Sequence, residues 1–204
     1  FVQQQIADPQ QTVSGIESLD QVIGRRADFL VDYQDQTLSD RFSGLIENIR
    51  QAETVVGGGA KLPLTEACAR GYFKLLAYKD EYEVARLHTD TGFLEKVRKE
   101  YGAKARLRFH LAPPSLNGGV DQRGRPGKRE YGAWMIPVFR LLARFRKLRG
   151  TRLDPFGMSA ERLLERALIG EFENNVEILL QHLSLHNIEL AIEVVNEYLE
   201  IRGY

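Results

Sequence analysis

The sequence has one cysteine, no apolar run long enough to cross a bilayer, and no excess charge of either sign. Cys68 therefore cannot form an internal disulfide, and a single thiol cannot hold an iron–sulfur cluster, which takes four ligands. No stretch reaches the roughly 20 apolar residues of a membrane-spanning helix, and no charged-then-apolar leader stands at the N-terminus. We expect a protein of the reducing cytoplasm with no membrane partner.

The charges balance in total but are distributed unevenly. Lys and Arg together number 28, as do Asp and Glu, so the overall charge does not favour nucleic acid as a partner. Residues 123–152 contain ten basic residues and one acidic residue, whereas residues 167–200 contain seven glutamates and no Lys or Arg. We expect the basic face to pair with the acidic C-terminal helices or with another part of a parent protein. The alternative is an anion site.

Apolar residues recur at three- and four-residue spacing along most of the chain, which is typical of amphipathic helices. Ser14 and Glu17 have the spacing of a capping box before the first helix. Pro63 suits a first helical turn, and Ser159 and Ser184 are predicted to cap the last two helices. The predicted helices cover about 14–33, 37–56, Pro63 through Leu75, 81–87, 93–99, 134–148, Ser159 through Leu183, and Ser184 through Leu199.

The predicted helix over 134–148 has a pronounced apolar stripe with arginines on its other face. We expect the stripe to face the core, as apolar faces of amphipathic helices usually do. Its members are Trp134, Val138, Leu141, Leu142, Phe145 and Leu148.

One segment changes from helical periodicity to alternation. Residues 106–111 place Leu107, Phe109 and Leu111 on one face of a predicted strand. A long glycine-rich, basic loop follows, and residues 130–132 are predicted to return as the second strand of a hairpin. The fold class expected is therefore mainly α, an antiparallel helical domain over 16–204 with a small inserted β-hairpin at about 105–132. Residues 1–15 are predicted to be a linker of a domain excised from a longer polypeptide.

The hairpin carries the candidate ligand-binding residues. Arg123, Arg125, Lys128 and Arg129 stand among glycines that allow a ligand to approach the backbone, which is favourable for an anion or an acidic partner. His110 lies on the strand face opposite Phe109, where it could donate to a ligand or act as a base. A hydrogen-bonded structural role is the more common fate of such a histidine.

No residue pattern indicates a catalytic or metal site. The other histidines lack ligand spacing with carboxylates or Cys68, and no phosphate loop or nucleophile elbow occurs. A dense polar and aromatic cluster, Tyr78–Tyr82, joins two predicted helices. We interpret it as a buried hydrogen-bonded corner, with a recognition surface as the alternative.

Five segments in order resemble the C-terminal domain of the long, fused indolepyruvate:ferredoxin oxidoreductases, a family of 2-oxoacid:ferredoxin oxidoreductases. A looser similarity covers residues 27–33. The five segments are residues 76–87, 108–114, 124–126, 148–157 and 201–204.

The resemblance implies a parent enzyme that oxidatively decarboxylates aryl 2-oxoacids to acyl-CoA. Such a parent uses thiamine diphosphate, magnesium and iron–sulfur clusters, with coenzyme A as a substrate and ferredoxin as the electron acceptor. These sites belong to upstream domains, since this chain has no Gly-Asp-Gly motif and no cluster-binding cysteines. No catalytic residue can be transferred to it, and no cofactor is expected in this domain.

Two main hypotheses follow for the domain itself, and a third reading is an independent helical enzyme or regulator. The first is a non-catalytic structural and interaction module that packs on the remaining domains of the polypeptide or across a homodimer interface. An exposed apolar patch would support this hypothesis. The second is that the basic hairpin loop binds coenzyme A or docks ferredoxin.

Overall fold

The computed structural model describes residues 17–57, 61–102, 106–111, 127 and 129–201. These residues form a mainly α fold with a small antiparallel hairpin, which confirms the predicted fold class. In the described ranges no helix is both long and apolar enough to span a bilayer. The elements are α1 (Leu19–Tyr33), α2 (Gln36–Val55), α3 (Pro63–Leu76), α4 (Glu81–Thr89), α5 (Phe93–Tyr101), β1 (Arg108–Leu111), β2 (Arg129–Gly132), α6 (Met135–Arg144), a 3-10 helix (Phe145–Leu148), α7 (Ala160–His182) and α8 (Ile188–Glu200).

The chain divides into two compact units. The first contains the described residues of Phe1–Ala77 and Leu168–Arg202, and the second those of Tyr78–Ala167. The prediction of one domain over 16–204 stays a prediction, and the predicted linker, residues 1–15, lies outside the described residues.

Helix α3 is the centre of the first unit. It packs against α2 and α8, and the predicted inward residues Leu64, Cys68, Tyr72 and Leu75 are all buried. The Tyr72 ring stacks on Phe172 of α7 at 5.3 Å between centroids, and Phe172 in turn meets Tyr198 of α8 edge-on at 5.0 Å. Stacked and edge-on aromatic pairs of this kind add to the stabilisation from area burial alone.

The N-terminus of α3 is capped from a distance. Its N-cap residue, Leu62, has a left-handed backbone with φ 46° and provides no side-chain cap. Glu53 of α2 is fully buried and accepts hydrogen bonds from the amides of Leu64 (2.9 Å) and Thr65 (2.7 Å), and from the Thr65 hydroxyl (2.6 Å). A carboxylate at a helix N-terminus satisfies orphan amides and interacts favourably with the helix dipole.

Two predicted helix caps differ from the structure. Helix α1 begins at Leu19, and its capping box pairs Ser18 with Gln21, whereas the predicted cap Ser14 lies outside the described residues. Ser184 does not cap α8, whose N-cap is Asn187. The Asn187 side chain accepts from the Ser184 amide at 2.8 Å and donates to the His182 carbonyl at 2.8 Å, so it closes the turn after α7. An Asn in this turn can take the place predicted for Ser184, because the side chains of both residue types form hydrogen bonds with nearby backbone groups.

The second unit is built around α4, α6 and the hairpin. Its buried cluster consists of Ala85, Phe109, Phe139 and Ala143, and β1 pairs with β2 in antiparallel register, with Phe109 opposite Tyr131. The prediction that the apolar stripe of α6 faces the core is wrong for most of its members. Phe139 and Ala143 are buried instead, because α6 has apolar residues on two opposite sides and Phe139 fits against Phe109 at 5.1 Å.

A histidine completes this aromatic cluster. The His88 ring stacks on Phe139 at 5.1 Å and meets the edges of Phe93 and Phe109 at 5.3 Å each. Its Nδ1 lies 2.7 Å from the Val84 carbonyl oxygen, so in the neutral ring Nδ1 carries the proton and donates. Burial lowers the pKa of His88, although the bond to Val84 opposes that effect.

The lowered pKa predicts an acid-sensitive second unit. Between the folded pKa of His88 and the unfolded value of about 6.5, the unfolded chain binds the extra proton, so stability falls as pH falls through this window. We expect His88→Phe to flatten the pH dependence of stability between pH 7 and 5, by at most about 1.4 kcal/mol per pH unit. Urea unfolding, followed by the fluorescence of Trp134, the only tryptophan, measures the free energy of unfolding at each of several pH values. The control is His186→Gln, on an exposed residue. A His88→Phe variant whose free energy of unfolding depends on pH as steeply as that of the native chain would contradict the prediction.

Candidate functional site

The hairpin places two of the predicted ligand-binding residues near one another. Arg129 pairs with Leu111 in the register, and His110 with Glu130. Arg129 and His110 are both exposed, and His110 is on the face opposite buried Phe109, as the alternation predicted. The other three candidates, Arg123, Arg125 and Lys128, lie outside the described residues. A ligand-binding role for this set stays a prediction.

Within the segment Tyr78–Tyr82, Asp80 and Tyr82 are buried and hydrogen-bonded. Asp80 and Arg149 form a bidentate ion pair, with Nε to Oδ2 at 2.6 Å and Nη2 to Oδ1 at 2.9 Å, and both side chains are 3% exposed. Asp80 Oδ1 also accepts from the Glu83 amide at 2.8 Å, so the same carboxylate caps α4. A carboxylate with this many charge-assisted bonds holds two distant segments in one geometry.

A second buried carboxylate organises the loop that carries Arg149. Asp154 accepts hydrogen bonds from the Tyr82 hydroxyl at 3.0 Å and from the amides of Gly150 and Phe156 at 2.8 and 3.0 Å. Gly150 has φ +72°, a conformation that favours glycine. A Cβ at Gly157 would lie 2.8 Å from Asp154 Oδ2, so a side chain there would displace the carboxylate. These contacts define the ionic corner, residues 78–83 with 149–157.

The ionic corner unites two of the segments that carry the family resemblance. Residues 76–87 provide Asp80 and Tyr82, and residues 148–157 provide Arg149 and Asp154. The Arg149 guanidinium also lies 5.6 Å from the centroid of the Tyr82 ring. The sequence marks both segments but not their pairing, because no periodicity links residues 69 positions apart.

A half-buried carboxyl group borders the ionic corner. Glu165 Oε2 accepts from Arg162 at 2.5 Å, and the Arg162 guanidinium lies 5.2 Å from the ring centroid of Tyr78. Burial raises the pKa of Glu165 to about 7, while Arg162 lowers it. Burial likewise raises the pKa of Glu81 and raises the pKa of Tyr78 to about 12.

Three buried ionic groups of the corner are engaged within it. Asp80, Arg149 and Asp154 are all buried, and each bonds the backbone or a side chain of the same corner. Chemically these contacts fix the geometry of a loop. They agree with the interpretation of Tyr78–Tyr82 as a structural corner.

An exposed apolar stripe runs along α6 and the start of the 3-10 helix. Spacings of four, three and four residues put its members on one side of the helix, opposite the buried residues Phe139 and Ala143. We name it the α6 stripe. Its members and their exposed fractions are Trp134 62%, Val138 37%, Leu141 54% and Phe145 45%.

The described ranges contain no group of three or more His, Cys, Asp or Glu side chains placed to hold a metal ion. Cys68 is buried, and burial raises the pKa of its thiol, so it is held as the unreactive thiol. The predictions that this chain needs no metal, no cofactor and no catalytic residue stay predictions.

A sequence model of one protein family, described as a family of unknown function (DUF6537), matches residues 19–204. Comparisons with curated proteins and with solved structures each gave no significant match.

Proposed function

The chain belongs to the DUF6537 family of unknown function, and from that premise we propose that it is a non-catalytic structural and interaction domain of a thiamine-diphosphate-dependent 2-oxoacid:ferredoxin oxidoreductase. The parent would act in the cytoplasm and convert aryl 2-oxoacids such as indolepyruvate to acyl-CoA. Thiamine diphosphate, magnesium and iron–sulfur clusters would be bound upstream, and ferredoxin would accept the electrons.

The α6 stripe is the observation that carries the interaction role. Single exposed apolar residues are common on protein surfaces, but four on one side of a helix form a contiguous apolar face, which is typical of a docking site. Trp134, at one end of the stripe, is the residue type most often found at the energetic centre of an interface. The occupant we propose is the remainder of the same polypeptide.

The ionic corner supports the structural part of the proposal. Two segments that carry the resemblance to the oxidoreductase C-terminal domain, residues 76–87 and 148–157, are joined by the ion pair of Asp80 and Arg149. The carboxylate and the guanidinium of this pair face one another. A domain that positions other domains needs rigid loops of this kind, and a buried, geometrically specific ion pair provides rigidity.

The docking role predicts a loss of association when the α6 stripe becomes polar. The binding partner in this test is the parent enzyme truncated before residue 16, which lacks this domain. The domain with Trp134→Ser and Leu141→Ser should bind it on the order of 100-fold more weakly than the native domain, since both side chains are placed to act as interface anchors. Size-exclusion chromatography with light scattering and calorimetric titration measure the association. Circular dichroism checks that the variant stays helical.

The matched control is Leu190→Ser on α8, an equally exposed leucine outside the stripe at 61%. Equal binding by the stripe variant and the control would overturn the docking role.

Whether this domain belongs to such an oxidoreductase is tested separately. The full-length enzyme is compared with the truncated one in indolepyruvate-dependent dye reduction and ferredoxin reduction. Loss of both activities together with loss of the oligomer supports a scaffold. Loss of ferredoxin reduction alone would instead favour the hairpin as a ferredoxin dock.

A further inference from the structure

A groove of about 500 Å³ lies beside the hairpin in the second unit. The C-terminal half of α5 forms one wall, the residues leading into β1 form the other, and the end of β2 with the beginning of α6 closes it. Its main lining residues are Val97, Arg98, Arg106, Leu107, Arg108 and Ile136. We name it the arginine groove.

The charge of the arginine groove is positive and largely uncompensated. Of the residues that the structure describes, three arginines and one glutamate line it, and their charges sum to +2. The glutamate, Glu130, is paired with Arg108 at 2.7 Å across the hairpin. Arg98 and Arg106 form no ion pair with any residue that the structure describes, and both are exposed. Two of the guanidinium groups that line the groove are therefore not engaged in an ion pair with a described residue.

The floor of the arginine groove is apolar and fixed in place. Leu107 and Ile136 line the groove and also pack against the buried cluster of Phe109 and Phe139. Val97 of α5 extends the apolar surface. A concave site with an apolar floor and a few convergent polar groups is the usual form of a small-molecule site.

We propose that the arginine groove binds a phosphate monoester with a small apolar body. A phosphate monoester carries a charge of about −1.5 to −2 at neutral pH, which matches the net charge of the lining. Its three terminal oxygens suit the planar donor forks of Arg98 and Arg106, which bind such oxygens in pairs. The apolar body lies on Leu107 and Ile136. This site does not depend on the docking role of the α6 stripe.

Titration of the 204-residue chain with butyl phosphate, followed by ¹H–¹⁵N NMR, tests the site. We expect saturable shifts of the amides of Arg98 and Leu107, with weaker binding of inorganic phosphate, which lacks the apolar body, and none of butanol, which lacks the charge. Arg98→Gln with Arg106→Gln should weaken binding by about tenfold or more, as expected for the loss of charge-assisted hydrogen bonds. Glu130→Gln should strengthen it by about threefold, because it removes the one negative charge of the lining.

The matched control, Arg140→Gln with Arg144→Gln, also removes two positive charges from exposed residues of the same unit. It should leave the affinity within about twofold, since these residues do not line the groove. Equal weakening by the two double variants would show that butyl phosphate responds only to overall charge, and would overturn the site. Shifts confined to amides outside the groove would overturn it as well.

Discussion

Asp80→Ala is expected to destabilise the second unit by about 3–5 kcal/mol, the range for breaking a buried ion pair by removing one partner. The variant leaves the Arg149 guanidinium buried without its bidentate carboxylate. It also removes the cap on the Glu83 amide, which contributes about 1 kcal/mol of that loss. Urea unfolding followed by the fluorescence of Trp134, in the same unit, gives the change in the free energy of unfolding.

Three further variants separate the causes of this loss. Asp80→Ser retains an acceptor for the α4 cap but no charge, so it should recover only about 1 kcal/mol. The double variant Asp80→Ala, Arg149→Ala should be less destabilised than the sum of its single variants, because neither charge is then left buried in the absence of the other. Asp90→Asn removes a partly exposed pair with Arg146 at 3.7 Å and should cost less than about 1 kcal/mol. A loss in Asp80→Ala no larger than that in Asp90→Asn would contradict the assignment of the ionic corner.

Glu53→Ala is expected to destabilise the first unit by about 3 kcal/mol. It leaves the amides of Leu64 and Thr65 buried without acceptors, and each unsatisfied buried donor costs about 1–3 kcal/mol. It also removes the negative charge from the N-terminus of α3, the helix at the centre of that unit. Chemical denaturation followed by circular dichroism at 222 nm measures the loss.

Two comparisons test the role of Glu53 as a distant cap. Thr65→Val removes only the hydroxyl donor to Glu53, so about 1 kcal/mol is expected. Glu47→Gln lies on the same helix but is exposed, and it should change the stability by less than about 0.5 kcal/mol. If Glu53→Ala costs no more than Thr65→Val, then the amides of α3 find other partners and the capping role is wrong.

The proposed docking role depends on which side of α6 faces the core, and the side predicted from the sequence was wrong. Both sides are apolar: one carries Phe139 and Ala143, and the other carries Trp134 and Leu141. Periodicity identifies an amphipathic face, but it cannot rank two such faces on one short helix. The side with Phe139 is buried against α4 and β1, because the Phe139 ring packs against the rings of His88 and Phe109.

The arginine groove could not be predicted from the sequence either. The ligand site predicted from the sequence is a cluster of basic residues within one loop, including Arg123 and Arg129, since a sequence shows only which residues are close along the chain. Arg98 and Arg106 come from a helix and from the approach to a strand, and they line one groove only in the folded chain. The predicted hairpin residues and the groove residues are therefore different sets.

The sequence by itself determined the local structure of this protein. Spacing of apolar residues predicted α3 and its buried face, alternation predicted the exposed side of His110 and the buried side of Phe109, and Pro63 marked a helix start. These features depend on neighbours within about four residues, whose geometry follows from backbone periodicity. The tertiary structure alone decided that Asp80 meets Arg149, that Glu53 caps α3, and that the α6 stripe stays exposed. Each depends on contacts between residues distant along the chain or on competition between two packing solutions, and local periodicity carries no information about either.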